Sequence, residues 1–288
     1  IMDDKSYRQG IDIGYNDFYE YVENSGKIPS TSQPTPYQFE EFYRSIAKPG
    51  DTILSIHITQ KLSGTMDSAR QAAESVKDQI KVLPFDSASG TICGGMMCKE
   101  AREMEQSGKT INQILARLEF IKNNMHLSAA LDTLRYAQMS GRIKYLQAAL
   151  ASVLQVKPII YLKNGIIEMG KKARSRTKAV DRMIEDLKHK MEGRPVQAAI
   201  VHAHDLAGAK EAREKVSLAL NCVNLYIAEL SISLAAHFGP GAVAVVCYPD
   251  NDYIPKMPAD IGWHFVYQKL RVNSKFLDSR NSGYILFN

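Results

Sequence analysis

Cysteine is scarce: four in 288 residues, at positions 93, 98, 222 and 247. No two stand as Cys-x-x-Cys, and no histidine completes a zinc-ligand spacing, so neither a dithiol redox site nor a metal or other cofactor is expected. Cys93 and Cys98 fall in an apolar helical stretch, where a buried free thiol is the ordinary state. No apolar run is long enough to cross a bilayer. The first ten residues are polar, unlike a secretory leader. With reduced thiols, that predicts a cytoplasmic protein. Neither charge sign dominates the chain, and the acidic residues are spread along it. The 36 basic and 31 acidic residues leave a net charge of +5 and a pI near 8.9. This mild excess does not demand nucleic acid, and it suits an anionic small ligand or an acidic partner. Internal repeats are absent, and Trp263 is the only tryptophan.

What remains is globular material, 45% hydrophobic and long enough for a sizeable core and two domains. Tyr15, Phe18, Tyr19 and Val22 recur at helical spacing, with Gly26 as the stop. Thr35-Pro36-Tyr37-Gln38 reads as a capping box with proline at the first helical position, opening a helix to about Ala47. A β-rich run from Thr52 to Ile58 leads through Ser63-Gly64-Thr65 into a helix to Val76. Ile80–Phe85 is the next strand, and Asp86-Ser87 is read as the cap of a helix through Gln106. Thr110-x-x-Gln113 caps another. Strand and helix alternate with tight connections, which argues for a mostly parallel sheet flanked by helices over residues 1–126.

The texture then changes. Leu127–Leu131 reads as a strand, Tyr136–Arg142 as a turn region and Ile143–Val156 as an amphipathic helix. Lys163-Asn164-Gly165 between two apolar runs is a strong hairpin signal. Helices to about Glu192 and Leu220 alternate with strands Val196–His202, Val223–Glu229 and Ala242–Cys247. Residues 127–247 are therefore expected to form a second, α+β domain. Residues 248–288 have no assigned place, although Tyr284–Phe287 has strand composition.

Several residues can meet an anion. Thr31 stands in Pro29-Ser30-Thr31-Ser32-Gln33-Pro34, a row of hydroxyls held extended by prolines beside a helix start. Taken alone, the row is also what an ordinary loop and cap would look like. Ser63 and Gly64 offer a hydroxyl and a closely approachable backbone at another helix N-terminus. His237 precedes Gly-Pro-Gly and reads as a histidine on a tight turn. Lys171–Lys178 holds five basic residues, Arg174 and Arg176 among them. A solvated basic face explains this run as well as a binding site does. No aromatics interleave it as a nucleic-acid surface would want. A nucleophilic role for Ser63 has neither a Gly-x-Ser-x-Gly setting nor an indicated acid partner, so no catalytic residue is assigned.

These pieces, in order, resemble the DegV family. The resemblance is carried by Ile28-Pro29-Ser30-Thr31-Ser32-Gln33-Pro34, Ser55-Ile56-His57-Ile58, Leu62-Ser63-Gly64-Thr65, Asp86-Ser87, Ser140-Gly141-Arg142-Ile143, Val156-Lys157-Pro158, Arg174-Ser175-Arg176 and His237-x-Gly239-Pro240-Gly241. The resemblance implies a two-domain α/β protein that holds a long-chain fatty acid between its domains. Hydroxyls of Thr31 and Ser63, the Gly64 loop and His237 would hold the carboxylate. It also implies a carrier with no catalytic centre, which presents the acid to a separate ATP-dependent fatty acid kinase for acyl phosphate formation. Arg174 and Arg176 would contact that partner, and transient contact with a membrane surface fits the cargo. The family's first strand, ending in Asp-Ser-Thr, has no counterpart in these residues. The competing expectation is a serine-dependent hydrolase of an acyl or phosphate ester.

Overall fold

The computed structural model describes residues 1–141 and 156–250, and these form a mixed α/β protein. Helix α1 (Tyr15–Ser25) comes first, stopped by Gly26 in the left-handed conformation, as the spacing predicts. The expected helix over 143–156 and the segment from 251 onward lie outside the described residues.

One compact unit is built from Ser32–Lys122. It opens with α2 (Pro36–Ile46), where Thr35 and Gln38 form the predicted reciprocal capping box. Strands β1 (Thr52–His57) and β2 (Lys81–Asp86) pair in parallel from Thr52↔Lys81 to His57↔Asp86 around α3 (Thr65–Val76). Phe39, Tyr43, Ile53, Ala69, Ala72, Val76 and Ile80 make its core, and the two alanines let backbones approach closely. Helices α4 (Ile92–Gln106) and α5 (Ile111–Asn124) follow. The buried Arg117 donates to Glu100 at 2.8 Å between them. The α4 start differs from the sequence expectation. The Asp86 carboxylate accepts from Ala88 N and the Ser87 hydroxyl from Ser89 N. Both potential caps thus close local turns, and the helix begins only after Thr91, at φ 57°.

The other unit joins Ile1–Thr31 to the described residues from Asn123 onward. Its six-stranded sheet has the order β5-β4-β3-β8-β6-β7. The strands are β3 (His126–Ala130), β4 (Lys157–Lys163), β5 (Ile166–Ala173), β6 (Val196–His202), β7 (Cys222–Glu229) and β8 (Val243–Pro249). Only β6 and β7 pair in parallel. Asn164 and Gly165 both have positive φ, the conformation an Asn-Gly hairpin turn requires. Between strands lie α6 (Arg135–Met139), α7 (Arg176–Met191), α8 (Leu206–Ala219) and α9 (Ile232–Phe238). Val180, Met183, Ile184 and Leu187 of α7 share one apolar core with Ile159, Ala198, Ile200, Val243 and Val245.

Two boundaries depart from the sequence reading. Residues 1–31 group with the later unit, not with 32–122. Long-range contacts explain why: Gln9 Oε1 accepts from Ile232 N at 3.0 Å, and the Tyr19 ring stacks on His204 with centroids 4.4 Å apart. The last strand also continues past Cys247 to Pro249, with Tyr248 buried opposite Gln197.

Ser128 on β3 is 1% exposed, and its hydroxyl has no hydrogen-bond partner among the described residues. It shares a strand face with the core residue Ala130. Ser128→Ala should raise stability by about 1 kcal/mol, because it removes a desolvated polar group and little volume. Urea unfolding of both proteins checks this.

Candidate functional site

Thr31 and His237 meet. Thr31 Oγ1 lies 3.0 Å from His237 Nε2, across 206 positions of sequence. Thr31 is half-buried on an extended segment between Pro29 and Pro34, where the fixed proline angles keep helix from forming. His237 is not on a turn as expected. It occupies the last turn of α9, which ends at Gly239.

Gly239 has φ 78° and ψ 166°, a conformation essentially confined to glycine. A Cβ there would lie 2.4 Å from the Tyr136 ring. At Gly241 a Cβ would lie 2.6 Å from the Asp132 carboxylate, which accepts from Lys157 at 2.9 Å. Tyr136, Asp132 and Lys157 therefore shape the loop that follows His237. Sequence reading did not single out the first two. The only signal was their proximity to quoted motifs, since Tyr136 sits just before Ser140-Gly141 and Asp132 pairs with the lysine of Val156-Lys157-Pro158.

Ser63 and Gly64 stand in the other unit. Gly64 caps α3 at an ordinary negative φ, so its role is close approach and not an unusual backbone angle. A Cβ would meet the Gln33 side-chain amide at 2.2 Å, and that amide donates to Ser68 at 3.2 Å. The Ser63 hydroxyl lies 2.8 Å from that of Thr65 and accepts from Thr65 N. Its mapped neighbours are thus small donors at a helix N-terminus, a suitable seat for an anion.

The serine that does contact a histidine is Ser55. Its oxygen lies 2.7 Å from His57 Nε2 and 2.9 Å from the Tyr43 hydroxyl. All three are buried, and burial holds the His57 pKa down at about 4, so the ring is neutral. Burial also pushes the Cys93 thiol up to about 12, far from a reactive thiolate. No disulfide joins the cysteines among the described residues. Among the described residues, no cluster of three His, Cys, Asp or Glu could hold a metal, and no helix is long and apolar enough to cross a membrane.

Arg174 is exposed beside Ser175, which caps α7 by accepting from Lys178 N. Arg176 is half-buried and ion-paired with Asp205, whose carboxylate also caps α8 by accepting from Gly208 N. The two arginines therefore have different surroundings.

Fold and site together define a two-unit α/β protein in which the Thr31 hydroxyl and the His237 imidazole, far apart in sequence, meet within one unit. Comparison with known proteins identifies which one. The family described as "Uncharacterised protein, DegV family" matches residues 1–250. Protein DegV of Bacillus subtilis is 32% identical over 247 residues, 85% of this chain and 88% of that one. Among solved structures, a DegV family protein from Thermus thermophilus, described as binding fatty acid, superposes with a TM-score of 0.78 at 30% identity. That match covers 84% of this chain and 87% of the other. The structure of Bacillus subtilis DegV, described as a fatty acid binding protein, gives 0.77 at 30% identity, covering 87% and 89%. This chain belongs to the DegV family.

Proposed function

We propose that this protein binds a long-chain fatty acid and acts as a carrier, not a catalyst. The observation that carries this is the 3.0 Å approach of Thr31 Oγ1 to His237 Nε2. It occurs in a family whose Bacillus and Thermus members, about as similar as 30% identity, are described as fatty acid binding. A carboxylate accepts short, charge-assisted hydrogen bonds from a hydroxyl and from an imidazole N–H. Ser63 and the Gly64 loop are further proposed ligand residues, for their hydroxyl and their helix N-terminus. Burial of the tail is worth about 0.8 kcal/mol per methylene. The carrier reading extends to a cytoplasmic partnership with an ATP-dependent kinase that phosphorylates the bound carboxylate. Arg174 is the better placed of the two arginines to reach that partner, since Arg176 is held by Asp205.

Mass spectrometry of the denatured protein should reveal co-purified fatty acid. Protein that is lipid-free and takes up no fatty acid would sink the proposal. Thr31→Val and His237→Ala should each weaken fatty acid binding by about 1–3 kcal/mol, roughly 5- to 150-fold, in a displacement titration.

A further inference from the structure

The two edges of the six-stranded sheet are unlike each other. The β5 edge, Ile166–Ala173, bears Glu168, Lys171 and Lys172, and its pairing with β4 is broken by an irregularity at Pro158/Ile160. Charges and bulges of this kind keep an edge from pairing with another chain. The β7 edge has no such guard over its central residues. From Cys222 to Ala228 it contains no charge and no proline. Its one irregularity falls at the start, between Val196 and Gln197 of the partner strand, which leaves Asn224–Glu229 in regular register. Val223 is 50% exposed, and Leu218, at the end of α8, is 89% exposed.

The free backbone groups can be assigned. Leu230 N donates to His202 O, and His202 pairs with Glu229. In a parallel ladder the groups of alternate residues point to the same side. Asn224, Tyr226 and Ala228 therefore face β6, while Leu225 and Ile227 present N–H and C=O outward. Among the described residues no strand pairs with that side.

We infer that β7 is a self-association edge that pairs antiparallel with β7 of a second copy of this chain, about a two-fold axis at Tyr226. The strand is self-complementary in this register. Leu225 lies opposite Ile227 of the second copy in both halves, and each such pair exchanges two backbone hydrogen bonds. The two Tyr226 side chains meet at the axis in a non-hydrogen-bonded pair, where cross-strand side chains are closest and aromatic pairs are favoured. Glu229 falls opposite Val223, so no like charges face each other. Registers one step to either side are poorer. One sets Glu229 against Leu225, and the other draws in the irregular Val223.

Two variants test this. Tyr226→Cys places two thiols across the axis at a Cα separation that a disulfide accepts. Under mild oxidation it should give a covalent dimer on non-reducing gels, which the parent chain with its native cysteines does not give. Leu225→Pro deletes an outward N–H without touching the β6 ladder. It should keep the parent circular dichroism spectrum and sediment as a monomer at concentrations where the parent sediments as a dimer. A parent chain that remains monomeric at about 100 μM, a dimer that survives Leu225→Pro, or a Tyr226→Cys chain that forms no covalent dimer would each overturn the inference.

Discussion

Replacing Gly239 with alanine is expected to cost about 2–6 kcal/mol of stability. Two terms add. The backbone sits at φ 78°, ψ 166°, where a side chain costs about 1–3 kcal/mol. The new methyl would also lie 2.4 Å from the Tyr136 ring, and overpacking of that kind costs about 1–3 kcal/mol more. A double-mutant cycle separates them. Tyr136→Ala in the Gly239→Ala background should recover the packing term and leave the backbone term. Because Gly239 ends the helix that carries His237, fatty acid affinity should fall with stability in the single mutant. Urea unfolding of the four proteins of the cycle, with a binding titration of each, reads both quantities. A Gly239→Ala protein as stable as the parent would show that the loop does not need its glycine.

The second large effect is a pH dependence. His57 is 3% exposed, and burial lowers its pKa from 6.5 to about 4. The unfolded chain therefore takes up the proton more readily than the folded one. The stability contributed by the neutral ring is complete above pH 6.5 and is lost as pH falls through the folded value. At 1.36 kcal/mol per pKa unit, the loss between pH 6.5 and 4 is about 3 kcal/mol. His57→Asn keeps a group that can bond Ser55 but does not titrate there. Denaturant unfolding of both proteins across this range should show the parent falling more steeply. Carboxylate contributions are common to both and cancel in the difference. Parallel pH profiles would refute the assignment.

Local signals were legible in the sequence wherever the physics is local. The Thr35–Gln38 box, the Gly26 stop, the Asn164-Gly165 hairpin and the Ser63-Gly64-Thr65 helix start each depend on a few neighbouring residues, and each stands where the pattern placed it. The misses share a different cause. Asp86 and Ser87 have the chemistry of caps but use it on turns two residues ahead, a competition that composition cannot decide. Gly-Pro-Gly dominates the surroundings of His237 and reads as a turn, while the helix that contains it is only seven residues long. Grouping residues 1–31 with the later unit depends on Gln9 meeting Ile232 and Tyr19 meeting His204, contacts with no trace in local spacing. The site divides in the same way. Thr31 and His237 were candidates one by one, but their meeting rested on family resemblance until the fold brought them to 3.0 Å. Tyr136 and Asp132 carry little beyond nearness to motifs in the sequence, since what distinguishes them is chiefly the glycine each packs against.

The position of β8 bears on how the chain is made. Val243–Pro249 lies between β3 and β6, in the middle of the sheet and not at its margin. On the ribosome, Ser32–Lys122, the described part of one unit, emerges as a single continuous stretch. The unit that holds Thr31 and His237 cannot close until its central strand has been synthesised, about 130 residues later. At about 5–20 residues per second, the first 31 residues wait roughly 11–44 s for the end of that strand, with Phe18, Tyr19 and Val22 uncovered. The proposed carboxylate ligands Thr31 and His237 thus come together among the last events of the described chain's assembly, although Thr31 is among the first residues to be made.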